Sequence, residues 1–143
     1  MKTESKSLEE TKNIAELFTK GLRPGKKASV VGLFGDLGSG KTTFTQCSAL
    51  FLGVAENTTS PTFVIEKRYP ISYNGFSNLI HIDAYRLDSG KELLDLGWKE
   101  MSDNPKNLIF IEWPERVAEI LPKDMKKICF KFIDEKTREI EVQ

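Results

Sequence analysis

Eight consecutive residues, Gly35-Asp36-Leu37-Gly38-Ser39-Gly40-Lys41-Thr42, satisfy the spacing GxxxxGK[ST] at every required position. Glycines let a backbone turn so that successive N–H groups converge on an anion. A helix starting near Lys41 would aim its unpaired N–H groups and its positive end at the same point. The Lys41 ammonium can then reach the outer phosphates of a nucleotide, and the Thr42 hydroxyl can ligate Mg²⁺. At average glycine usage, four constrained positions recur by chance in roughly one chain of this length in two hundred. The flanks narrow the reading further, because an apolar run precedes the loop and a helical pattern follows it.

Such a loop needs a carboxylate beyond it, either to ligate Mg²⁺ or to orient the attacking group. Two acids close apolar runs. Leu108-Ile109-Phe110-Ile111-Glu112 is four apolar residues and an acid, the form of a Walker B strand, and Leu79-Ile80-His81-Ile82-Asp83 is a second case. Carboxylates are common at strand ends, but the loop upstream favours function for both Glu112 and Asp83. Thr62, after Ser60-Pro61, offers a hydroxyl to the metal or the outer phosphate, as switch threonines do. Alternation puts His81 on the same face as Asp83. His81 is read as a structural histidine and left out of the chemistry. Arg86 is a candidate phosphate or partner contact, Trp113 is read as packing beside Glu112, and Trp98 as core or a surface anchor.

The elements that must position these groups follow from periodicity and punctuation. Ser7 and Glu10 form a capping box, and Leu8, Ile14, Ala15, Leu17, Phe18 and Leu22 give a helical stripe ended by Gly21 and Pro24-Gly25. Residues 28–34 read as a buried strand and residues 41–52 as a helix stopped by Gly53. Residues 63–71 and 76–83 read as strands joined at Asn74-Gly75. A short helix is expected over 91–101, a second buried strand over 107–112, and a short helix after Trp113-Pro114. Residues 128–133 and 138–142 read as a closing hairpin. The fold class is therefore α/β, a mixed sheet flanked by helices, P-loop NTPase-like, in one small domain spanning 1–143.

Composition supports this and excludes other classes. The 143 residues are 39% hydrophobic and 29% charged, the mix of a soluble globular protein. Lys plus Arg and Asp plus Glu both number 21, so there is no basic excess of the kind that grips nucleic acid directly. No apolar run approaches a membrane span, no secretory leader is visible, and Cys47 and Cys129 read as buried free thiols. A cytoplasmic protein is expected. The Asn-Lys-x-Asp string of guanine readers does not occur, which favours adenine.

At this point the sequence resembles the bacterial TsaE (YjeE) ATPases of tRNA threonylcarbamoyladenosine biosynthesis. The matching residues run in order through the chain: Gly35 to Thr43, Ser60-Pro61-Thr62-Phe63, His81-Ile82-Asp83-Ala84-Tyr85-Arg86-Leu87, Glu92-Leu93 with Gly97, Glu112-Trp113-Pro114, Leu121-Pro122 and Arg138-Glu139-Ile140. Ser39 stands where alanine is usual and Ala84 where a larger apolar residue is usual, while residues 64–69 fit loosely. The resemblance implies ATP phosphates on Asp36, Leu37, Gly38, Ser39, Gly40, Lys41, Thr42 and Thr43, with Thr11 near the adenine. It implies Mg²⁺ on Thr42 and Glu112 and functional roles for Asp83, a further acid for the metal, and for Thr62. It also implies a TsaD–TsaB complex as partner, with tRNA met only through that complex and the free chain a monomer. Hydrolysis is expected to be slow until the partner completes the site. From the residues alone two other readings stay open: a small-molecule kinase, and a nucleotide-dependent binding module without meaningful turnover.

Overall fold

The computed structural model describes residues 1–54 and 65–143. Its frame is one seven-stranded mixed sheet in the order β1-β7-β6-β2-β5-β4-β3. The four inner strands β6 (Lys126–Phe132), β2 (Ser29–Phe34), β5 (Asn107–Glu112) and β4 (Phe76–Asp83) run parallel. β5 is buried at all six positions, as its unbroken apolar run demands of a strand covered on both faces.

Antiparallel hairpins complete the two sides. β3 (Glu66–Tyr73) pairs with β4 through a turn in which Asn74 and Gly75 have φ of 49° and 93°, the mirror-image geometry that suits a two-residue hairpin. Pro70 falls in this edge strand, where its missing N–H costs no ladder bond. β7 (Arg138–Val142) pairs with β6, and β1 (Lys2–Ser5) pairs with β7 at the far edge.

Alternation along the strands sorts side chains into two cores. On one face Val31, Leu33, Leu79, Leu108, Phe110 and Ile128 pack against α1 (Leu8–Lys20) and α2 (Lys41–Phe51), including Ala15, Phe44 and Ala49. On the other face Val30, Ile80, Ile82, Ile109 and Ile111 pack against α3 (Gly90–Asp95), α4 (Trp98–Asp103) and the 3₁₀ segment Pro114–Ile120, through Leu93, Trp98, Met101 and Val117.

Several sequence expectations change. The single helix over 91–101 is two helices, because Gly97 adopts φ 94° and breaks the ladder between them. In α1, Ser7 caps Glu10 N at 3.1 Å as expected, but Leu8 and Leu17 are 68% and 73% exposed. The inward stripe is Thr11, Ala15 and Thr19, with Ile14 and Phe18 at its margins. Small residues bring α1 close enough to α2 for the Thr19 hydroxyl to donate to Ser48 Oγ at 3.1 Å. β1 was not expected, since Lys-Thr-Glu-Ser has no apolar alternation; backbone pairing with β7 and the buried Ser5 hydroxyl against Thr11 fix its place. Cys47 is buried, whereas Cys129 is only half-buried, and burial raises both thiol pKa values. Among the described residues no helix is long and apolar enough to cross a membrane.

Candidate phosphate-binding site

The glycine loop connects β2 to α2 at the C-terminal end of the parallel strands, where ligands of open α/β sheets sit. Gly35 has φ 148°, and a Cβ there would lie 2.6 Å from Ser39 Oγ and 2.7 Å from the Phe130 carbonyl oxygen. Gly40, φ 108°, is the N-cap of α2 and supplies no side-chain cap. The first amide bond inside the helix is Phe44 N to Gly40 O at 3.0 Å, so by helix geometry the N–H groups of Lys41, Thr42 and Thr43 point into the loop. Ser39 Oγ is buried with no hydrogen-bond partner among the described residues.

Lys41 is 5% exposed. Its ammonium donates to the carbonyl oxygens of Gly35 and Asp36 and lies 3.8 Å from the centroid of the Trp113 ring. Burial pushes its pKa down, opposed by the carboxylates of Glu112, Glu115, Asp83 and Asp36.

The two strand-end acids come together because β4 and β5 are parallel neighbours in register, with Asp83 opposite Glu112. The Ala84 N–H binds the Glu112 carbonyl at 3.0 Å and locks the strand ends. The Thr42 hydroxyl stands 3.0 Å from Glu112 Oε1 and 3.1 Å from Oε2, joining the loop to the acid across seventy residues of chain. His81 Nε2 reaches the same carboxylate at 2.6 Å from Oε2. Asp83 Oδ1 accepts from the Tyr85 N–H at 3.0 Å. Trp113 follows Glu112 in the left-handed region, φ 60°, which turns its indole over Lys41 and against the Tyr85 ring at 5.0 Å.

These groups line a cleft of about 790 Å³, within the size range of small-molecule sites. Leu37, Gly38, Ser39, Gly40, Lys41, Thr42, Thr43, Asp83 and Glu112 all face it, as do Arg86 and Trp113. Thr11 lines it too, its hydroxyl 2.6 Å from Ser5 Oγ. Asp36 does not: it is exposed, and its role in the loop is through its backbone carbonyl, which accepts from Ser39 N and Lys41. Thr62 and the Ser60-Pro61 turn lie outside the described residues.

Three contributions escaped the sequence reading. One wall of the cleft comes from the chain's first residues, Ser5 to Leu8, and another from Phe130, Arg138 and Ile140 of the closing hairpin. Arg138 Nε donates to the Gly38 carbonyl at 3.2 Å. Hairpin pairing brings β7 beside β6 and so next to the loop, a juxtaposition that no local pattern reveals. His81, assigned a structural part only, instead touches the site's acid; its strand-face parity with Asp83 was the available signal.

The family described as threonylcarbamoyl adenosine biosynthesis protein TsaE matches residues 5–140. The chain belongs to the TsaE family. The tRNA threonylcarbamoyladenosine biosynthesis protein TsaE of Bacillus subtilis is 39% identical over 132 residues, covering 92% of this chain and 78% of that protein. The TsaE protein of Treponema pallidum is 37% identical over 142 residues, covering 99% of each. Among solved structures, the crystal structure of Bacillus subtilis YdiB superposes with a TM-score of 0.78 at 32% identity, covering 99% of this chain and 83% of that one. TsaE membership accounts for the order in which the loop, the two strand-end acids and the Trp-Pro corner occur, and it assigns the chain to tRNA threonylcarbamoyladenosine biosynthesis.

Proposed function

We propose that residues 1–143 act as one ATPase domain of the TsaE type, binding ATP with Mg²⁺ in the cleft and hydrolysing it slowly alone and faster with a TsaD–TsaB complex, in the cytoplasm. tRNA is met only through that complex. The observation that carries the reading is the Thr42 hydroxyl 3.0 Å from the Glu112 carboxylate at the mouth of an N–H-lined loop.

The residues fit the group. Hydroxyl and carboxylate oxygens are hard donors of the kind Mg²⁺ takes, and the buried, unpartnered Ser39 hydroxyl adds a polar group within the loop. Among the described residues no cluster of three or more His, Cys, Asp or Glu side chains could hold a metal alone. That suits an ion whose remaining ligands are phosphate oxygens and water. When bound, Mg²⁺ offsets the charge of the outer phosphates. Lys41 would exchange its loop carbonyls for phosphate oxygens, Thr42 and Glu112 would hold the cation, and Asp83 would orient the attacking water. Thr11, on the cleft wall, would meet the nucleoside end.

Slow unaided turnover is part of this reading, and the engagement of two nearby arginines within the chain supports it. Arg138 donates to the carbonyls of Gly38, Asp134 and Thr137, and Arg116 lies 5.3 Å from the Tyr85 ring centroid. A partner that adds or frees one positive group beside the outer phosphate would accelerate the reaction.

Phosphate release from ATP tests this, measured with the chain alone and with TsaD–TsaB. The expected result is a low rate raised at least about tenfold by the complex, a modest share of what supplied arginines achieve elsewhere. Glu112→Ala is expected to lower Mg²⁺-stimulated release more than it lowers metal-free ATP binding. Absence of stimulation would leave a binding module, and label transferred to a small acceptor would identify a kinase.

A further inference from the structure

His81 and Glu112 form a pair sealed from water, with side chains 2% and 4% exposed. His81 Nε2 lies 2.6 Å from Glu112 Oε2, and against an ionised carboxylate, which only accepts hydrogen bonds, the ring nitrogen is the donor. His81 Nδ1 is buried and has no hydrogen-bond partner among the described residues, so the ring's one contact of this kind is with the acid. Parallel register fixes the arrangement: His81 lies opposite Phe110 and Asp83 opposite Glu112, so the imidazole approaches the carboxylate from the side away from the loop's open mouth.

The two oxygens of Glu112 are therefore unequal. Oε2 is held by the imidazole, while both oxygens lie within reach of the Thr42 hydroxyl. The imidazole takes one of the two lone pairs on Oε2 and fixes that oxygen's direction, which leaves Oε1 the freer oxygen toward a cation bound beside Thr42. Mg²⁺ is small, demands near-octahedral geometry and uses carboxylates through one oxygen, whereas Ca²⁺ readily takes both.

We propose that His81 is a positioning residue that makes Glu112 a one-oxygen ligand, so that the site prefers Mg²⁺ to Ca²⁺. This rests on the nucleotide reading above. The histidine touches neither nucleotide nor cation; it restricts the acid that does. Partners behind a metal ligand commonly set affinity by about ten- to a hundredfold.

The test is calorimetric ATP binding by the full chain without metal, with Mg²⁺ and with Ca²⁺, in wild type, His81→Gln and His81→Asn, with thermal melts as a check on folding. The Gln side chain can place an N–H near the Nε2 position; the Asn side chain is too short. His81→Gln is expected to keep the wild-type ratio of Mg²⁺-supported to Ca²⁺-supported affinity. His81→Asn is expected to lose about tenfold or more of that ratio while metal-free ATP affinity stays unchanged. A His81→Asn protein with the wild-type ratio would overturn the positioning role, as would a folded His81→Gln protein that loses it. A wild type that binds no ATP under any condition would overturn the nucleotide reading itself, an outcome distinct from either.

Discussion

Along β4, Leu79, His81 and Asp83 turn toward the α1 and α2 side, while Ile80 and Ile82 turn toward α3 and α4. β5 divides likewise: Glu112 continues the face of Leu108 and Phe110, and Ile109 and Ile111 fill the other. One face thus carries a buried cation, a buried acid and a buried histidine at its C-terminal end, while the opposite core is lined by apolar side chains. Burying charge is tolerable only where partners are close. α2 begins at that end of the strands and brings Lys41 and Thr42 to the acids, whereas α3 and α4 bring Leu93, Trp98 and Met101. A strand pair can hold chemistry on one side and plain packing on the other because its side-chain period is two.

That contrast can be broken from either side. Lys41→Ala is expected to cost ATP affinity at least about a hundredfold, about 3 kcal/mol, since the outer phosphates lose a charge-assisted donor. Thermal stability should fall little, because the ammonium is already penalised by burial. Calorimetry and a melting curve on the same sample check both; unchanged affinity would remove Lys41 from the site. Ile111→Ala, on the other face and fully buried, is expected to lower stability by about 2–4 kcal/mol through lost burial and a cavity, with ATP affinity per folded molecule retained. Denaturant unfolding measures it, and a parallel loss of affinity would show the faces to be coupled. Ser7→Ala probes the rim, where the residue caps α1 and also lines the cleft. A stability loss of about 1 kcal/mol in the same unfolding assay with little change in binding is expected, and a larger binding loss would give Ser7 a ligand contact.

Much of this was legible in residue order. The run Asn107 to Glu112 is a strand with those bounds, because continuous apolar residues ending in an acid have few other homes in an α/β chain. The loop declared itself through glycines whose φ values of 148°, 76° and 108° few other residues accept. What stayed hidden was hidden for physical reasons. β1 owes its place largely to amide and carbonyl groups that every sequence has, with one buried hydroxyl pair between Ser5 and Thr11 that no periodicity announces. Leu8 and Leu17 looked inward by periodicity, but α1 turns its small residues to α2, where close approach favours them. His81 could not be told from an ordinary core histidine until the register of β4 and β5 set it beside Glu112.

The left-handed turn at Trp113 gives the molecule a built-in optical gauge. An indole capped by an ammonium at 3.8 Å emits in surroundings that change once that ammonium is drawn off toward another anion. Trp98, enclosed in the opposite core, supplies a steady background against which the change is read. Occupancy of the glycine loop is therefore expected to register in ultraviolet fluorescence with neither dye nor radiolabel.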